Sequence, residues 1–133
     1  MICGIIIIIF LILYIDIDAN NDYINIEKEN KNINYKRKII ERAIVFSLLT
    51  ISHYFLIDKN IIKNLLFFIC MCFTYWFLFD LALNTLRNLK ASYIGENSKI
   101  DLFLRKTKIS HNYIFSIKKW LVVLSATLYF LSW

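Results

Sequence analysis

Residues 65–79 read LLFFICMCFTYWFLF, fifteen positions without a charged side chain, and the apolar run around them extends from Ile61 to Asn84. A hydrocarbon core of about 30 Å needs about 20 helical residues to cross it, and this run is long enough. On its N-terminal side Asp58-Lys59-Asn60 makes a tight polar turn, preceded by a second apolar run, Ile39 to Ile57, with Glu41 and Arg42 in its first turn. Two such runs on a short connection form an antiparallel helical hairpin. Farther out lie Ile2 to Ile17, interrupted by Gly4 and Asp16, and a C-terminal segment, residues 113–133, whose most apolar part is Trp120 to Trp133. The expected fold is all-α, a single membrane domain over residues 1–133. Its four transmembrane helices cover about residues 2–17, 39–57, 61–84 and 113–133, and a short interfacial helix at about 98–108 lies between the third and fourth.

Composition agrees with this reading. The chain is 59% apolar and 17% aromatic, with a mean hydropathy of +0.55, and its apolar residues are clumped rather than spread at helix or strand period. Proline is absent and glycine occurs only at Gly4 and Gly95, so almost nothing interrupts a helix. The excess of Ile and Asn suits an AT-rich genome, so many of these residues reflect codon pressure. The first run has no Lys or Arg before Lys28 and no small-residue cleavage motif after it, so it is expected to be an uncleaved short membrane helix rather than a secretory signal. From Trp120 to Trp133 a helix covers only ~21 Å. Snorkelling of Lys118 and Lys119 and local thinning can absorb the mismatch, and Trp at each end suits the two aromatic belts.

The net charge of +6 is placed asymmetrically. Residues 18–38 carry five Lys or Arg and Arg42 adds a sixth; residues 84–119 carry eight, and the 58–64 turn only two. With four spans the fourteen fall on one side and the two on the other, the bias expected of cytosolic loops. The expected location is the cell membrane, multi-pass, with both termini on the non-cytosolic side. Basic residues beside apolar segments serve as anchors, so no nucleic-acid partner is expected. The lipid bilayer is, with a homo-oligomer or other membrane proteins as the further candidates, and the small residues Ala43 and Ser47, Cys70 and Thr74, and Ser125 and Ala126 offer close contacts between helices.

Several polar residues need an explanation. Asp80 ends the longest apolar run, with Asn84 one turn on and Arg87 beyond it. An acid inside a membrane helix is costly and is a functional candidate by default. Arg42 enters the second helix at the same end, so an Asp80–Arg42 ion pair is expected, with proton or ion handling as the alternative. His53 lies toward the outer end of the second helix, where bonding to a neighbouring helix is expected; His111 is read as a surface residue. Cys70 and Cys72 stand about 200° apart on a helix and make no metal or redox pair. In the basic segment Tyr93-Ile94-Gly95 reads as a turn. Ser98 with Asp101 three residues on resembles a capping box opening an amphipathic helix that carries Ile100, Phe103 and Leu104 on one side.

The stretch YWFLFDLALN, residues 75–84, followed by YIGENSKID, residues 93–101, resembles small uncharacterised membrane proteins of Bacteroidota and their phages or prophages. These pair an aromatic-rich helix ending in F-D-x-x-x-N with a Y-x-G-x-x-S-x-x-D turn before a basic helix. The resemblance covers roughly residues 75–106 and implies no activity. It does imply that Asp80, Asn84, Tyr93, Gly95, Ser98 and Asp101 belong to one device at the cytosolic face. No phosphate-binding glycine loop, metal-ligand spacing or nucleophile–base pair appears in the sequence, so neither enzyme activity nor a cofactor is expected. The expected function is a scaffold or small subunit of a membrane assembly, with a holin-like or small channel oligomer as the alternative.

Overall fold

The computed structural model of the chain describes residues 2–28, 35–94, 103–104, 106–107 and 109–133. Among them the long elements are four helices: α1 (Ile2–Tyr23), α2 (Tyr35–Leu56), α3 (Ile61–Leu86) and α4 (His111–Leu131), with a π-helical turn, Ile24–Lys28, extending α1. Three of these, over Lys36–Leu56, Ile61–Leu86 and His111–Leu131, are long and apolar enough to cross a membrane. The other, α1, matches α2 in length but carries Asp16, Asp18 and Asp22 in its second half.

The hub is α3, which packs against each of the other three helices, while α1 also meets α2. Its buried residues Asn64, Phe67, Met71, Tyr75 and Phe79 recur every three or four positions and so form one stripe. On α1 the matching stripe is Ile7, Leu11, Ile15 and Ala19, and α2 adds Phe46, edge-on to Tyr75 at 5.2 Å between ring centroids. The opposite faces are apolar and exposed, with Phe10 and Leu13 on α1, Ile44 and Leu48 on α2, and Trp120 and Leu124 on α4. The bundle has a small apolar interior and a large apolar exterior, the distribution suited to a lipid solvent.

The helix ends have identifiable causes. Asn60 caps α3, its side-chain oxygen accepting from the backbone N–H groups of Ile62 (2.9 Å) and Lys63 (3.3 Å). At the other end Asn88 takes a left-handed conformation (φ 53°). Its N–H bonds to Thr85 O at 3.1 Å and that of Leu89 to Asn84 O at 2.8 Å, the paired closure of a Schellman motif with asparagine in the place glycine usually holds. Ser110 caps α4, its hydroxyl oxygen accepting from the Tyr113 N–H.

Two boundaries differ from the sequence expectation. Residues 18–38, expected as a loop, are helical over 18–28 and again from Tyr35. The cause is a pair of acids one turn apart on α1 facing a pair of bases one turn apart on α2, described below. The fourth helix begins at His111, earlier than the apolar run alone suggests. The expected interfacial helix at 98–108 lies largely outside the described residues, as do Gly95, Ser98 and Asp101.

Candidate functional site

The polar side chains inside the bundle gather at its two ends. At the basic end, α1 presents Asp18 and Asp22, 4% and 3% exposed. Their spacing of four residues places both on one face, and Lys38 and Arg42 have the same spacing on α2. Lys38 Nζ lies 2.5 Å from Asp18 Oδ1 and 3.0 Å from Asp22 Oδ1. Arg42 Nε lies 2.9 Å from Asp18 Oδ2, and its Nη2 lies 3.4 Å from Asp22 Oδ2. From α3 the Tyr75 hydroxyl donates to Asp18 Oδ2, and the guanidinium carbon sits 4.7 Å from the Phe79 ring centroid and 5.2 Å from that of Tyr75. Two acids and two bases cancel, so the cluster presents no net charge to the low-dielectric surroundings, which a lone charge could not do at tolerable cost.

The expected Asp80–Arg42 pair is replaced by a different arrangement. Arg42 turns to α1, because α1 continues as a helix past Ile17 and carries two carboxylates to its side. Asp80 accepts from Lys118 of α4, a residue only 5% exposed whose ammonium also lies 4.3 Å from the Trp76 ring centroid. Beside this contact Phe77 meets Phe115 at 5.2 Å. Ion pairs therefore join α1 to α2 and α3 to α4 at the basic end of the bundle.

One turn beyond Asp80, buried Asn84 donates its amide protons to the carbonyls of Ala91 (3.2 Å) and Tyr93 (2.9 Å) and so holds the chain leaving α3. The Tyr93 ring stands edge-on to His111 at 6.4 Å. Asn84 and Tyr93 thus meet directly. A third joint links the π-helical turn to the end of α3, with Arg87 Nε 2.7 Å from Glu27 Oε1.

At the opposite end His53 is fully buried and stacked on Phe67, 4.1 Å between centroids. Asn64 donates both amide protons, to Asp58 O and Asn60 O at 2.7 Å each, so its oxygen faces His53 Nδ1 at 2.8 Å. In the neutral ring Nδ1 then carries the proton, and Nε2 accepts from the Tyr129 hydroxyl at 2.6 Å. This tautomer follows from the network, as such assignments must. Three helices are joined here, as expected of a histidine bonded to its neighbours. In the adjoining turn a hydrogen bond from Lys63 (2.7 Å), followed by one from the Asn60 N–H (2.8 Å), holds the Asp58 carboxyl below its usual pKa. Lys63 also lies 4.3 Å from the Trp133 ring centroid.

Reading residues 18–38 as a loop hides Asp18, Asp22 and Lys38. The signal was present, since acids three and seven residues past Ile15 fall on the helical face that Ile7, Leu11 and Ile15 mark at spacings of four. Lys118, read as a snorkelling residue, gave no such signal. Among the described residues no group of three or more His, Cys, Asp or Glu side chains is placed to hold a metal ion. Comparison with protein-family models, with curated proteins and with solved structures finds no match to this chain.

Proposed function

We propose that all four helices cross the cell membrane and that the bundle is a non-enzymatic scaffold or small subunit of a membrane assembly. Residues 18–38 and 85–112 face the cytosol in this reading, and residues 60 and 133 face the other side. The observation that carries it is the inverted placement of polarity. Ionised side chains at the helix ends turn toward each other in matched pairs, while Ile, Leu and Phe cover the outside. With Asp18 and Asp22 neutralised by Lys38 and Arg42, α1 joins the other three as a span. The charge bias gives the orientation. Joints at both ends of the bundle, made of side chains that satisfy one another, favour a fixed helical unit over a reactive centre.

Induction in growing cells with a membrane-impermeant dye outside tests the role. A scaffold or subunit leaves growth and dye exclusion unchanged. Growth arrest with dye entry on induction would replace this reading by the holin-like or channel one.

A further inference from the structure

A cavity of about 330 Å³ opens between the chain leaving α3 and the start of α4. Among the described residues Lys90, Ser92, Tyr93, Ser110, His111 and Asn112 line it, together with Leu89. The chemistry of this set is one-sided. It offers an ammonium, two serine hydroxyls, an imidazole and a side-chain amide, all able to donate hydrogen bonds, and no carboxylate among the described residues. At the helix joints of this end the cations are matched: Lys38 and Arg42 with α1, Lys118 with Asp80, Arg87 with Glu27. The exposed ammonium of Lys90 makes no ion pair with any described residue. A pocket of donors around one unneutralised cation selects an anion, and tetrahedral phosphate oxygens can take several such donors at once.

Position identifies what carries the phosphate. Lys90 is the third residue past Arg87, the C-cap of α3, and Ser110 is the N-cap of α4. The cavity therefore lies where two helices of the bundle end, level with lipid headgroups when those helices span. Anionic lipids concentrate on the cytosolic leaflet, the side assigned to this end.

We infer that this cavity binds the phosphate of an anionic lipid headgroup, with Lys90 as its charge partner. The inference rests on the membrane reading above and deepens it by naming a ligand. The test is native mass spectrometry of the full chain in detergent, with phosphatidylglycerol, phosphatidylcholine or inorganic phosphate added. Phosphatidylglycerol should be retained in preference to phosphatidylcholine, and Lys90→Gln should weaken it about fivefold, the scale of one basic residue at a charged surface. Lys59→Gln, the same loss of charge at the opposite end, should leave retention unchanged. Equal losses in the two variants, or equal retention of the two lipids, would overturn the site. Displacement of phosphatidylglycerol by millimolar inorganic phosphate would overturn the lipid as the source. Alkaline carbonate extraction of cell membranes separates the two levels. A chain that stays in the membrane but binds no lipid loses the site alone, whereas a chain released by carbonate loses the membrane reading and the site with it.

Discussion

Replacing Arg42 by methionine tests the joint between α1 and α2. The substitution keeps an unbranched stem but removes the guanidinium that lies 2.9 Å from Asp18 and 3.4 Å from Asp22. Two carboxylates at 4% and 3% exposure are then left with Lys38 and the Tyr75 hydroxyl. Removing one partner of a buried pair costs ~3–5 kcal/mol. The Arg42 side chain is itself 22% exposed and Lys38 remains, so the lower end of that range, about 3 kcal/mol, is expected. The assay is reversible unfolding in mixed micelles, run as two double-mutant cycles. Arg42→Met with Asp18→Asn should show a coupling of at least ~1 kcal/mol, since the residues touch. Arg42→Met with Asp80→Asn should be additive within ~0.5 kcal/mol, as for residues with separate partners. A single-mutant loss below ~1 kcal/mol, or a stronger coupling to Asp80 than to Asp18, would refute the assignment of partners.

Three further outcomes follow from the same geometry. Tyr129→Phe removes the donor to His53 Nε2 and leaves a buried acceptor unmet, which should destabilise the bundle by ~1–3 kcal/mol in the same unfolding assay. Asn88→Gly should be neutral within a few tenths of a kcal/mol, whereas Asn88→Val should lose more than ~1 kcal/mol, because a β-branched residue resists φ near 53°. The Asp58 carboxyl titrates lower in the folded chain than in the unfolded one. Its contribution is therefore complete above the ordinary carboxylate pKa of ~3.9 and is lost as pH falls through the lower folded value. Stability measured against pH should show wild type and Asp58→Asn converging in strong acid and separating above it.

Much of the helical layout could be read from hydrophobic runs, because a segment such as 65–79 has few alternatives to a helix in an apolar environment. The short polar turn at Asp58-Lys59-Asn60 also signals a hairpin, and the structure adds the capping role of Asn60 and the bonds that Lys63 and Asn64 make to the turn. The limits of the reading have a common cause. Apolarity marks where a helix is greasy, not where it ends, and a helix continues through charged residues when a neighbour supplies the opposite charge. That neighbour is a tertiary fact. Asp18 and Asp22 belong to α1 because Lys38 and Arg42 stand beside them, and only the fold brings residues twenty or more positions apart into register. Asp80 was recognisable as needing a partner for the same reason that its partner was not. An acid closing a long apolar run is costly while it stands unpaired, whatever its partner turns out to be, but the choice between Arg42 and Lys118 depends on which helix lies on which side of α3. The left-handed residue after α3 is likewise Asn88 and not a glycine, since asparagine also tolerates that conformation.

The orientation of the bundle is the claim on which the rest depends, and reporter fusions address it most directly. Fusions after residues 60 and 133 are compared with fusions after residues 30 and 108, using one reporter active only outside the cytosol and another active only within it. Fusions after residues 60 and 133 should be active outside the cytosol, and those after residues 30 and 108 within it. A fusion after residue 133 that is active in the cytosol would show that α4 does not cross, and the four-span bundle would be wrong.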